Sequence, residues 1–182
     1  MTLRPYAATA AVAALLLSPV VAAPAQAVPP LNVAFLDPTE QSRAFDIVHV
    51  KLRSAPDTTH PAVVLVTHGR KVKPGDSIDV WFDLDGDKVP DLHLSGDAFS
   101  EFTVHEAKSF TKDGKDISDQ DVVRLAMSGF HSKIRLFPAK VGSPLGFSVV
   151  VKSSSSGKPA STDDWAPSNR KFSQTVLAAP LT

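Results

Sequence analysis

The stretch Ser77–Ser95, SIDVWFDLDGDKVPDLHLS, holds two runs of alternating residues joined through Asp85-Gly86-Asp87. In the first run Ile78, Val80, Phe82 and Leu84 fall on one side, and Asp79, Trp81 and Asp83 on the other. In the second, Leu92 and Leu94 continue the apolar side while Asp91, His93 and Ser95 take the polar one. Successive strand residues point to opposite faces, so this period of two predicts an antiparallel hairpin with one buried face. Keeping Phe82 and the leucines together sets Asp83 across from Asp91 or, in the neighbouring register, across from His93. Facing carboxylates on an antiparallel pair repel, and a cation beside them would remove that penalty.

The same alternation recurs along the chain, in FDIVHVKL (45–52), AVVLVTH (62–68), EFTVHEA (101–107), VVRLAM (122–127), KIRLFP (133–138) and GFSVVVK (146–152), with a final strand in FSQTVL (172–177). With the opening hairpin this makes eight or nine strands separated by turn residues and no stretch of helical period, which predicts an all-β antiparallel sandwich. Residues 28–43 read as an irregular lead-in containing Pro29, Pro30 and Pro38. Lys112–Asp121 and Ser153–Asp164 read as solvated loops. Neither is long enough to serve as an interdomain linker, so 28–182 is expected to be a single domain.

Residues 1–27, MTLRPYAATAAVAALLLSPVVAAPAQA, carry Arg4, an apolar run from Ala7 to Leu17, and an Ala25-Gln26-Ala27 cleavage pattern. This is the make-up of a secretory signal peptide. Its apolar run is well short of the ~20 residues that a spanning helix needs, so no membrane insertion is expected. No cysteine occurs, which excludes both a lipid-attachment site and a disulfide framework. An exported domain of this size without disulfides is held by packing or by a bound ion. Charge is balanced at 19 basic and 19 acidic residues, and no basic stripe runs along the chain. Nucleic acid is therefore not expected as a partner, and a monomer outside the cell is.

The hairpin aspartates fit a hard cation. With Asp83 as first position, carboxylates fall at positions one, three, five and nine (Asp83, Asp85, Asp87, Asp91), and Val89 offers a carbonyl at position seven. Calcium takes six to eight oxygens, and alternating loop aspartates can converge on it. The pattern is similar to the DxDGDxxxD loops of thrombospondin-type repeats and dockerins. It departs from an EF-hand, which has a bidentate acid where Leu94 stands and glycine where Lys88 stands, so binding in the ~0.1–1 mM range is expected. The alternative is an Asp-Gly turn with no ion.

Other chemistry is thinner. His49, His93 and His105 lie on polar strand faces and would hold zinc only if their strands were neighbours. No G-x-S-x-G elbow occurs; Gly142-Ser143-Pro144-Leu145-Gly146 has the wrong spacing. Clustering of the aspartates in one tight loop favours a cation over a glycosidase pair. Trp81, with His93 beside it, and Trp165 are candidate ligand-binding rings, since exposed aromatics present flat platforms to sugars; the alternative is that loops or the second sheet cover both.

Four pieces in order carry a family resemblance: Phe45-Asp46-Ile47 after Asp37-Pro38; Asp83-x-Asp85-Gly86-Asp87-x-x-Pro90-Asp91; Phe137-Pro138 followed by Gly142; and Asp164-Trp165-Ala166-Pro167. In these the chain resembles secreted actinobacterial β-sandwich proteins similar to family 9 carbohydrate-binding and DOMON-like domains. The resemblance implies an antiparallel sandwich, calcium at the hairpin, and ligand binding in some members. It transfers no sugar site, because the aromatic pair that clamps sugar in the carbohydrate-binding family has no counterpart here. The expected function is a secreted, non-enzymatic, calcium-stabilised module binding extracellular glycan or another envelope component. The alternatives are an envelope structural or interaction protein without a small ligand, and a hydrolase of unrecognised geometry.

Overall fold

A computed structural model of the protein describes residues 28–37 and 43–180. Residues 1–27, read as a signal peptide, and Pro38 of the lead-in lie outside the described residues. The chain forms two antiparallel sheets packed face to face, as the alternation predicts. One sheet has the order β1-β2-β3-β9-β8, with β1 Asn32–Leu36, β2 Ile47–Arg53, β3 Ala62–His68, β8 Val123–Ser128 and β9 His131–Leu136. The other has the order β11-β10-β4-β5-β6-β7, with β4 Asp76–Asp83, β5 Leu92–Asp97, β6 Phe102–Ser109, β7 Lys112–Asp116, β10 Gly146–Ser155 and β11 Asp164–Ala166. A short β12, Val176–Leu177, also pairs with β10.

Among the described residues twelve strands replace the expected eight or nine. The lead-in 28–43 contains β1, and the segment read as a solvated loop from Lys112 to Asp121 begins with β7. β7, KDGKD, is a sheet edge whose charged side chains discourage pairing with other chains and erase the hydrophobic alternation; β1, NVAFL, is an apolar edge strand set between Pro29-Pro30 and Pro38, which read as irregular chain. β11 is three residues long, too short to show a period. The expected final strand shrinks to Val176–Leu177.

Between the sheets Phe82, Ile78, Leu94 and Phe147 meet Leu52, Val64, Ile134 and Leu136, all of them fully buried. Each such side chain contributes about 1.5–3 kcal/mol on leaving water. Gly96 on β5 is required by this packing: a Cβ there would collide with Leu125 of the facing sheet and with the Phe102 Cβ.

The chain crosses between sheets after β3, and an ion pair pins the crossing. Arg70 clamps the buried Asp76 carboxylate with two bonds of 2.6 Å, and Lys73 N–H and Ser155 Oγ add further donors. Burial alone would raise the Asp76 carboxyl, but these bonds outweigh it and hold it below the usual aspartate range. At the same end, Asp164 of β11 accepts a 2.6 Å bond from Ile47 N–H of β2, tying the two sheets together.

Candidate functional site

The register of β4 with β5 pairs Phe82 with Leu92 and Trp81 with His93. Continued by one step, it sets Asp91 across from Asp83 and excludes the alternative pairing with His93. The connecting loop is a ladder of side-chain turns. Gly86 N–H donates to Asp83 Oδ1 at 2.6 Å, Asp87 N–H to Asp85 Oδ1 at 3.1 Å, Val89 N–H to Asp87 Oδ1 at 2.7 Å, and Leu84 N–H to Asp91 Oδ2 at 2.6 Å. Short polar side chains favour such turns, and Gly86 meets the positive φ of +86° without a Cβ penalty.

This fold brings three of the five expected ligands together. Asp83, Asp85 and Asp91 each place one oxygen within 4.8 Å of the others. Two oxygens on one calcium, each 2.3–2.6 Å from the ion, can be no more than about 5 Å apart, so the spacing fits. Asp87 lies outside this group, with one oxygen held by Val89 N–H; Val89 itself is an exposed residue of the same turn. Asp83 is the most deeply set, 1 % exposed, and also receives Ser148 Oγ at 3.0 Å and Lys88 Nζ at 3.5 Å. Lys88 thus supplies one positive charge to four aspartates. The balance is incomplete: burial, then the charges of Asp85, Asp83 and Asp87, push the Asp91 carboxyl above its usual range.

A second assembly occupies the outward face of the seven-stranded sheet. Trp81 stacks on His93 at 4.6 Å and on Trp165 at 5.5 Å, while Phe110 leans on it at 5.6 Å and Phe172 on Phe110 at 5.4 Å. The expectation of an exposed Trp81 platform is corrected: the residue is 4 % exposed. Outward-facing strand positions are exposed only if nothing covers them, and here the Phe110 turn and the segment around Trp165 and Phe172 do. Trp165, half-buried, is the more accessible ring.

Polar groups frame this stack. His93 Nε2 lies 3.2 Å from Asp79 and Nδ1 2.9 Å from Asp113. Lys152 spans Asp79 at 3.5 Å and Asp163 at 3.2 Å. Burial would lower the His93 pKa, yet bonds to Asp79 and Asp113 and their charges raise it above the ordinary 6.5. Burial likewise favours the neutral form of Asp79, but bonds from His93 and Ser95 and the Lys152 charge hold its pKa below the usual range. Asp79 and Trp81 were legible as outward residues; Asp113, Lys152 and Phe110 were not, because only strand order brings them there.

The zinc arrangement does not form. His93 and His105 are cross-strand neighbours, but His49 belongs to the other sheet. A histidine does sit beside a serine, His68 Nε2 lying 2.9 Å from Ser132 Oγ. Both are sealed in the core, at 1 % and 0 % exposure, and desolvation drives the His68 pKa down to about 3. That pair packs as a neutral core contact, with the His68 ring stacked on Phe45 at 3.8 Å, and no substrate can reach it.

The absence of a basic stripe holds along the chain but not in space. Alternation in β2, β8 and β9 turns Lys51, Arg53, Arg124, Lys133 and Arg135 onto one outward face. No protein-family model matches this chain, and no curated protein or solved structure is significantly similar to it.

Proposed function

We propose that the protein is an exported, non-enzymatic binding module whose β4–β5 hairpin is completed by calcium and whose ligand is extracellular glycan. The observation that carries the ion is the convergence of Asp83, Asp85 and Asp91 within 4.8 Å, with the Asp91 carboxyl pushed above its usual range by burial and then by its acidic neighbours. Calcium would supply the positive charge that Lys88 leaves short, and the three carboxylates would hold it. The leader-like residues 1–27 and the lack of cysteine support export without disulfides. Burial of the serine–histidine contact between Ser132 and His68 supports a binding role over a hydrolytic one. Trp165, beside Lys152 and Asp163, supports sugar contact at the margin of the aromatic stack.

Calorimetric titration with calcium is expected to show uptake with a dissociation constant of about 0.1–1 mM. At ten times that constant the ion would add about 1.4 kcal/mol and raise the melting temperature. Asp85→Ala, in an exposed loop, should abolish both effects and leave the fold intact. No heat and an unmoved melting temperature at millimolar calcium would overturn the metal assignment.

A further inference from the structure

We infer that the outward face of the five-stranded sheet is a docking surface for an acidic polysaccharide, laid along β3 between two basic columns. The inference goes beyond the sugar contact proposed at Trp165: it assigns a second, separate glycan site, selective for acidic polymers, on the sheet opposite the aromatic stack.

The columns follow from register. Lys51 pairs with Leu65, which pairs with Lys133; Arg53 pairs with Val63, which pairs with Arg135; His49 pairs with Thr67, which pairs with His131. The paired outward positions on β2 and β9 thus carry lysine, arginine or histidine, and those on β3 between them are uncharged. Strands lie about 4.8 Å apart and same-face residues about 7 Å apart along a strand, so the two columns run parallel at about 10 Å. Arg124 of β8 extends the row beside Arg135. No outward position of β1, β2, β3, β8 or β9 carries a carboxylate.

Asp121 engages Arg124 at 2.5 Å, but among the described residues no carboxylate pairs with Lys51, Arg53, Lys133 or Arg135. Unpaired like charges held close together cost stability through repulsion, and an incoming polyanion relieves that cost. Arginine forks and lysine ammonium groups suit carboxylate and sulfate groups on either side of a linear chain. Val63 and Leu65, half-buried between the columns, offer an apolar floor to the C–H faces of sugar rings.

The face suits other polyanions less well. Its outward rows carry no tryptophan, tyrosine or phenylalanine on which successive single-stranded bases could stack, and no helix or ribbon projects from it to enter a duplex groove. The exposed Leu36 and Phe130 stand at one end, which makes anionic vesicles the competing arm of the test.

Binding of the full chain to polygalacturonate and heparin, with neutral dextran as control, should be measured at low and moderate salt, with chelator and with calcium. The expected result is binding of the two acidic polymers only, weakened by salt and retained in chelator. Lys51→Glu/Lys133→Glu should weaken it at least about tenfold, whereas Lys112→Glu/Lys115→Glu, the same charge change on the exposed β7 edge, should leave it within about twofold. Absence of binding at low salt, equal loss in both double variants, or tighter binding to duplex DNA or to phosphatidylglycerol vesicles would overturn the inference. Calcium uptake is read separately by calorimetry, so either assignment can fail while the other stands.

Discussion

Asp79 and Lys51 occupy comparable places, each on an outward position of a strand inside its sheet, yet their surroundings are opposite. Asp79 is contacted by His93 and Lys152 beneath an aromatic roof, and its charge is answered within the fold. Lys51 faces the uncharged Leu65, with another lysine beyond it, and its charge is answered by no carboxylate among the described residues. The seven-stranded sheet therefore uses its outer face as a second small core, while the five-stranded sheet leaves its outer face to solvent and to whatever partner brings negative charge. A net charge of zero hides this division completely.

The largest test of the contrast is Trp81→Ala. Removing a buried tryptophan costs about 3–5 kcal/mol, and urea unfolding should show a loss of that size despite the residue's outward position. Leu65→Ala, its nearest equivalent on the other face, should cost about 1 kcal/mol or less, since Leu65 is only partly buried. Similar losses at the two positions would erase the distinction between the faces.

Asp79→Ala comes next. It strips a partner from both His93 and Lys152, leaving each with one remaining carboxylate, Asp113 and Asp163. A loss of about 1–3 kcal/mol is expected in denaturant unfolding. A smaller effect belongs to pH. The His93 pKa is raised in the fold, so its contribution is full below the unfolded value and is lost as pH rises above 6.5 through the folded value. The groups facing the ring are Asp79, Asp113, Trp81 and, across the strand, His105. The urea midpoint should fall as pH rises above 6.5 in the wild type, and fall less in Asp79→Asn. The smallest effect is expected for Lys133→Glu, within about 0.5 kcal/mol of wild type, because no internal partner is lost. A loss above about 1 kcal/mol there would show that the basic face serves the fold itself.

The hairpin was legible because its two runs keep the same period on both sides of an Asp-Gly turn; burial of Phe82 and the leucines left two registers, and the fold takes the one that pairs Phe82 with Leu92. The same logic identified Asp83, Asp85 and Asp91 as neighbours. It overreached with Asp87, since a loop aspartate can satisfy the backbone next to it, as Asp87 does with Val89 N–H, instead of turning inward. Edge strand β7 escaped notice because of its composition: a strand paired on one side and wet on the other needs no apolar face, whereas β1, NVAFL, escaped because Pro29, Pro30 and Pro38 surround it.

The amino-acid sequence alone determined the all-β class, the antiparallel pairing around Gly86 and the acidic character of one loop, because period, turn chemistry and charge are local properties of a few consecutive residues. Tertiary structure decided which outward residues meet. Strand order placed Lys152 and Asp113 beside Asp79 and His93, roofed Trp81 with side chains from Phe110 and Trp165, and lined up Lys51 with Lys133 across β3. Residues far apart in the chain become neighbours only through pairing between strands, and no window of sequence contains that information.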